Sequence, residues 1–159
     1  MTVQFLPATS TRVERATHKA LNERIRTSTD AQVARLERAE PIEFEARLEE
    51  LDREWDIERI LQANAATLVM LGVALGYAVD RRFLALPAAV FTFFAQHALQ
   101  GWCPPIPIFR RRGVRTRREI ERERYAIKAL RGDFDDVPLP GSADGGTRVR
   151  AALKAVDKA

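Results

Sequence analysis

Two stretches of this chain carry no charged side chain, residues 60–79 and 83–109, and only Asp80, Arg81 and Arg82 separate them. Charge is dense elsewhere, since 30% of all residues are Asp, Glu, Lys or Arg. The mean hydropathy of −0.26 is therefore an average over two unlike populations. The first run, ILQANAATLVMLGVALGYAV, is 20 residues long. The second opens with a similar length, FLALPAAVFTFFAQHALQGW. A bilayer core about 30 Å thick takes roughly 20 apolar residues per helix, and within lipid a helix satisfies its backbone groups on its own. Both runs are rich in Ala and include Gln62, Asn64, Gln96, His97 and Gln100, so a buried helical hairpin in a soluble bundle is the competing reading. A small soluble domain rarely leaves such lengths without one charge, which favours a two-helix transmembrane hairpin. The expected fold is all-α, with long amphipathic cytoplasmic helices before and after that hairpin.

A cleaved leader is not expected. The first apolar run starts some 60 residues in, and residues 1–10 have no basic segment followed by an apolar core. Orientation follows from the basic residues. Arg47, Arg53 and Arg59 precede the hairpin, and Arg110, Arg111, Arg112, Arg115, Arg117, Arg118, Arg122 and Arg124 follow it. The turn has only Arg81 and Arg82. Cytoplasmic flanks collect Lys and Arg, so both termini are expected in the cytoplasm. Trp55 and Trp102 fall near the inner boundary and Tyr77 near the outer one.

Four regions result: an N-terminal amphipathic and juxtamembrane helical region (1–59), the transmembrane hairpin (60–109), a basic cytoplasmic helix (110–132) and a flexible C-terminal tail (133–159). Within the first, 11–39 has helical spacing with a break expected at Ser28, Thr29 and Asp30. Pro41 suits the first turn of a further helix, in which Phe44, Leu48, Leu51 and Trp55 form an apolar stripe. Residues 40–58 hold nine Asp or Glu against Arg47 and Arg53. After the hairpin the polarity inverts, with ten Lys or Arg in 110–131 against Glu119, Glu121 and Glu123. Thr116 and Glu119 have capping-box spacing and Gly132 sits where a C-terminal cap belongs, predicting a helix over 117–131. The basic cluster either sets topology and attracts anionic headgroups through Arg110, Arg111, Arg112 and Arg115, or it pairs with the acidic segment within or between chains. No aromatic platform accompanies it, so nucleic acid is not an expected partner. The final residues 148–159 are read as a short helix.

Inside the hairpin, Gly72 and Gly76 form a GxxxG pair that lets another helix approach closely, the second helix of the hairpin being one candidate. Gln96, His97 and Gln100 have the spacing to share a face and are expected to point at protein or water rather than lipid. The structural role is interhelical hydrogen bonding. A proton or ligand path is the alternative, weakened by the absence of Asp or Glu within the charge-free runs. Cys103 is the only cysteine, and with two distant histidines it makes no metal signature. The prolines in GWCPPIP are expected to hold an extended segment after it. Flanking arginines make Cys103 a candidate reactive thiol of lowered pKa, although a lone cysteine is more often inert.

With Gly72 and Gly76 in the first helix, then Gly101, Cys103, Pro104, Gly113 and Thr116 after the second, residues 55–116 resemble the YgaP-like inner-membrane domain family of bacteria. That resemblance covers roughly 40% of the chain. It implies a small multi-pass protein of the bacterial inner membrane, generally of unknown function, and raises the expectation of a homodimer. In the namesake architecture the hairpin anchors a rhodanese domain. No such domain or active-site loop is present here, so sulfurtransferase activity is not carried over. The functional expectation is a non-enzymatic anchoring or assembly protein without cofactor or metal. Its partners would be the bilayer, a second copy, and an unidentified membrane or cytoplasmic protein. The alternative is a thiol- or sulfur-handling accessory that uses Cys103 at the cytoplasmic face, with His97 as a neighbour.

Overall fold

In the computed structural model, which describes residues 6–158, every regular element is helical, and no strand occurs among the described residues. The opening residues 1–5, part of the leader argument, lie outside that description. The helices are α1 (Arg12–Ala16), α2 (Lys19–Leu36), α3 (Pro41–Arg53), α4 (Ile57–Ala78), α5 (Ala85–Gln100), α6 (Ile106–Arg111), α7 (Arg117–Leu130) and α8 (Gly145–Asp157), with 3-10 turns at Thr9–Thr11 and Arg81–Leu84. Two compact units form, Met1–Thr27 with Trp55–Ile120, and Ser28–Glu54 with Glu121–Ala159.

The first unit contains the two apolar runs. Asp56 starts α4 by accepting a hydrogen bond from the Arg59 amide at 2.8 Å, a Ser/Asp-type cap that satisfies one orphan N–H. The helix then continues for 22 residues, about 33 Å at 1.5 Å per residue. Asp80 caps the following 3-10 turn through the Arg82 amide at 2.7 Å. Turn and α5 together span Arg81–Gln100, 20 residues. By length and composition both helices suffice to cross a membrane. They pack on one another through the glycines. A Cβ at Gly72 would lie 2.4 Å from the Pro87 ring, and one at Gly76 would lie 2.6 Å from the end of Leu84. At the opposite ends of the helices, Val13, Ile57, Leu61, Cys103 and Ile106 form a buried cluster, flanked by Phe94, Phe109 and Val114.

Three local expectations change. The chain is helical through Ser28, Thr29 and Asp30, and the break falls at Thr17 instead, which is extended (ψ 143). Its hydroxyl donates to the Val13 carbonyl at 2.7 Å, competing with continuation of the helix. The segment after Cys103 is not extended: Pro105 adopts helical φ/ψ and opens α6, with Pro107 in the first turn. A first turn needs no N–H, so these prolines start a helix where they were expected to prevent one. Trp55 lies beyond the end of α3, 47% exposed, so only Phe44, Leu48 and Leu51 of its proposed stripe are buried.

In the second unit, Leu36, Phe44, Leu48, Leu51, Ile127 and Ala155 are the buried apolar side chains. Arg47 of α3 donates to the fully buried Glu123 of α7 at 2.8 Å, and Arg124 of α7 meets Asp52 of α3 at 2.7 Å. The acidic and basic segments are thus paired within one chain, with each side contributing one residue of the minority sign. Within the stretch expected to be a flexible tail, the short final helix read at 148–159 is present as the 13-residue α8, capped by Asp144 on the Thr147 amide at 3.0 Å. Lys128 holds its C-terminal end by donating to the carbonyls of Val156, at 2.9 Å, and of Lys158. Asp133 holds Lys158 at 3.1 Å and Arg131 at 2.7 Å.

The two glycine contacts differ in a testable way. The Pro87 ring is rigid, whereas the end of Leu84 can rotate away. Gly72→Ala is expected to cost about 1–3 kcal/mol by overpacking. Gly76→Ala is expected to cost less, because the Leu84 side chain can shift and the helix-propensity gain of about 1 kcal/mol offsets part of the clash. Thermal unfolding of both variants in detergent micelles checks the order, and equal losses would contradict it.

Candidate functional site

The charged and polar groups of the first unit concentrate at the ends of α4 and α5 remote from Asp80. Glu58 stands in the first turn of α4, where a carboxylate is favoured by the helix dipole. Its two oxygens point to different partners. Oε1 accepts from Arg12 Nη2 at 2.7 Å, and Oε2 lies 2.8 Å from His97 Nε2. His97 is 2% exposed and occupies the last turn of α5. Arg12 reaches Glu58 because Gly101 lets the start of α1 pass against the end of α5. Gly101 closes α5 at φ 77, and a Cβ there would lie 2.4 Å from the Arg12 backbone. No side chain fits, and no other residue adopts that φ as readily.

A second buried centre forms around Arg110, the one fully buried guanidinium among the described residues, at 0% exposure. Nη1 and Nη2 donate to Glu119 Oε2 and Oε1 at 2.6 and 2.7 Å, a bidentate pair. Nη2 also donates to Asn22 Oδ1 at 2.7 Å, and Nη1 to the Val114 carbonyl at 3.0 Å. Asn22 in turn donates to the Glu14 carbonyl at 2.8 Å. Glu119 does double duty, because it also accepts from the Thr116 amide at 2.7 Å while its own amide donates to Thr116 Oγ1 at 3.2 Å. The capping box expected from the sequence is therefore also the counterion of Arg110. Burial alone would raise the Glu119 pKa, but hydrogen bonds from Arg110 and Thr116 hold it below the ordinary carboxylate value. The Ile57 amide donates to the Arg115 carbonyl at 2.9 Å, which ties the start of α4 to the segment before α7.

Cys103 belongs to the apolar cluster and is 4% exposed. Burial pushes its thiol up to about 11, opposite to the effect expected from nearby arginines. It borders an apolar cleft of about 280 Å³ between α4 and α5, lined also by Leu61, Leu68, Phe93 and Phe94. Asn64 lines it too, but spends an amide hydrogen on the Ile60 carbonyl at 3.0 Å.

The proposed polar group does not act as a unit. His97 is buried against Glu58, Gln96 is half-buried and Gln100 is exposed. The headgroup assignment also divides. Arg110 and Arg115 are buried and so cannot reach a lipid surface, whereas Arg111 and Arg112 are exposed. Gly72 and Gly76 lie at the contact with α5 and its preceding turn. Sequence reasoning missed Arg12, Asn22 and Glu58 as interior groups. His97 offered a signal, since a lone imidazole at the end of an apolar run needs a partner, and Glu58 lies just outside the charge-free limit. Chemically, the arrangement fastens helix ends. Its carboxylates face guanidinium or imidazole groups at hydrogen-bond distance, and its thiol is held neutral. No family model matches the chain, nor does any curated protein or solved structure.

Two outcomes are expected. Since the folded pKa of Glu119 is depressed, its contribution to stability is present above the unfolded value, about 4.3, and is lost as pH falls through the lower folded value. Glu119→Gln should flatten the acid limb of a melting-temperature profile and cost about 3 kcal/mol at neutral pH by leaving Arg110 unpaired. Cys103 should resist a water-soluble disulfide reagent at neutral pH and react once the protein is unfolded. Rapid labelling of the folded protein would show that the cluster is open.

Proposed function

We propose that this chain is a small inner-membrane protein that crosses the bilayer twice as a helical hairpin, keeps both termini in the cytoplasm, and serves in anchoring and self-association rather than catalysis. The observation that carries the reading is the bareness of the two apolar helices. Only 17% and 6% of their apolar stretches are buried. In a soluble bundle such helices would form the core. Here Met70, Val73, Phe91 and Leu99 stand 49–65% exposed, and water is the wrong solvent for so continuous an apolar surface. Aromatic placement supports the same reading: Tyr77 is 95% exposed beside the turn, while Trp55 and Trp102, 47% and 36% exposed, stand at the other end. That is the distribution of an interfacial belt. Arg59 stacks over Trp55 at 4.2 Å, bringing a cation to the same level.

The buried ion pairs at the cytoplasmic ends support an anchoring role, because they fix the hairpin to the flanking helices without presenting a reactive group. Self-association draws on the exposed faces of α4 and α5 and on the resemblance to two-helix inner-membrane domains. Neither requires a cofactor.

Localisation and topology are tested together. Epitope tags at either terminus should be inaccessible to antibody on intact spheroplasts and accessible after permeabilisation, and the protein should leave the membrane fraction only with detergent. Recovery in the soluble fraction without detergent would overturn the proposal.

A further inference from the structure

α8 is amphipathic in two directions at once. At about 100° per residue, Ala151 and Ala155 share the face turned toward the protein, half-buried and buried respectively. Val149, Leu153 and Val156, spaced i, i+4, i+7, share another face and are 58%, 59% and 42% exposed. On one side Ala152 and then Arg148 follow the stripe, and on the other Asp157, Arg150 and Lys154 follow in turn. The helix cannot roll to hide the stripe, because Lys128 grips the carbonyls of Val156 and Lys158 while Asp133 holds the Lys158 ammonium. The apolar stripe is therefore fixed outward.

We infer that α8 is a second, peripheral membrane contact that lies in the headgroup region of an anionic leaflet, its apolar stripe toward the acyl chains and its basic residues among the phosphates. Charge selects this occupant. Asp157 is the sole acidic residue within α8, against Arg148, Arg150 and Lys154. Pairing with the same helix of a second copy would set these cations against each other, whereas an anionic bilayer neutralises them. The stripe is also short, enough for shallow burial and too narrow for a helix that crosses the membrane. The inference rests on the membrane reading given above but needs neither the hairpin topology nor self-association.

The test uses the full chain, with Cys103 replaced by Ala and a nitroxide placed at residue 153 (Leu153→Cys) or 154 (Lys154→Cys), in bilayers of phosphatidylcholine with and without phosphatidylglycerol. A third label on α4, through Val73→Cys, reports the hairpin. With the anionic lipid present, the residue-153 label should favour oxygen over a polar nickel quencher, and the residue-154 label should not. Charge-reversing Arg148, Arg150 and Lys154 should abolish the difference, at about fivefold in partitioning per residue. Equal, water-like accessibility at 153 in both bilayers would overturn the inference. Spin–spin broadening at 153 would overturn it too, by showing that a second copy covers the stripe. A water-accessible label at residue 73 would instead defeat the hairpin reading, whatever α8 does.

Discussion

Arg110 is the group on which the first unit depends. A guanidinium cannot shed its proton, so burying it obliges the protein to surround it with acceptors. Glu119 supplies two, Asn22 one and the Val114 carbonyl one. Those acceptors come from α2, the start of α7 and the segment after α6. Accommodating one cation therefore ties the stretch from α6 to the start of α7 to α2, 88 positions away in sequence. Because Glu119 also caps α7, the start of that helix and the placement of Arg110 are not independent: the carboxylate cannot move to improve one without losing the other.

Glu58 plays the same part for the apolar helices. It is the first-turn carboxylate of α4, and its partners are the opening residue of α1 and the last turn of α5. The apolar helices are thus clamped at one end by charge and at the other by the close fit of Gly72 on Pro87 and Gly76 on Leu84. Between these ends they expose apolar surface. A helix pair in water would be held mainly by its apolar seam. Here the seam is narrow and the ends are electrostatic, which fits the bilayer setting proposed above, where apolar contacts carry little advantage.

What the sequence made legible was local. Two helices of membrane length, the capping box at Thr116 and Glu119, Pro41 in a first turn and the glycine pair all depend on residues a few positions apart. What it hid was pairing at long range. Arg110 and Asn22 are 88 positions apart, and Glu58 and His97 are 39 apart; no spacing rule connects them. Charge density also misled. Three consecutive arginines suggest headgroup contacts, but α6 puts Arg110 on the face of Ile106, one turn earlier, and both are buried. That phase is visible only if Pro105 starts a helix, whereas consecutive prolines suggest a stop. The tail divides in the same way: its short final helix is legible in residues 148–159, whereas Lys128, which holds that helix, lies in another region of the chain.

The burial of Arg110 and Arg115 bears on the orientation proposed above. The bias toward cytoplasmic Lys and Arg acts on segments as they are inserted, before the chain has folded and while these residues are still hydrated. On the topology proposed above, they then oppose translocation as Arg111 and Arg112 do. After folding, Arg110 is sealed against Glu119, Arg122 faces Asp30 and Arg124 faces Asp52. In the folded chain these residues are ion-pair partners of acidic residues that lie before and after the two apolar helices. A count of basic residues thus misjudges headgroup contact, because which arginines stay exposed is settled by pairing at long range.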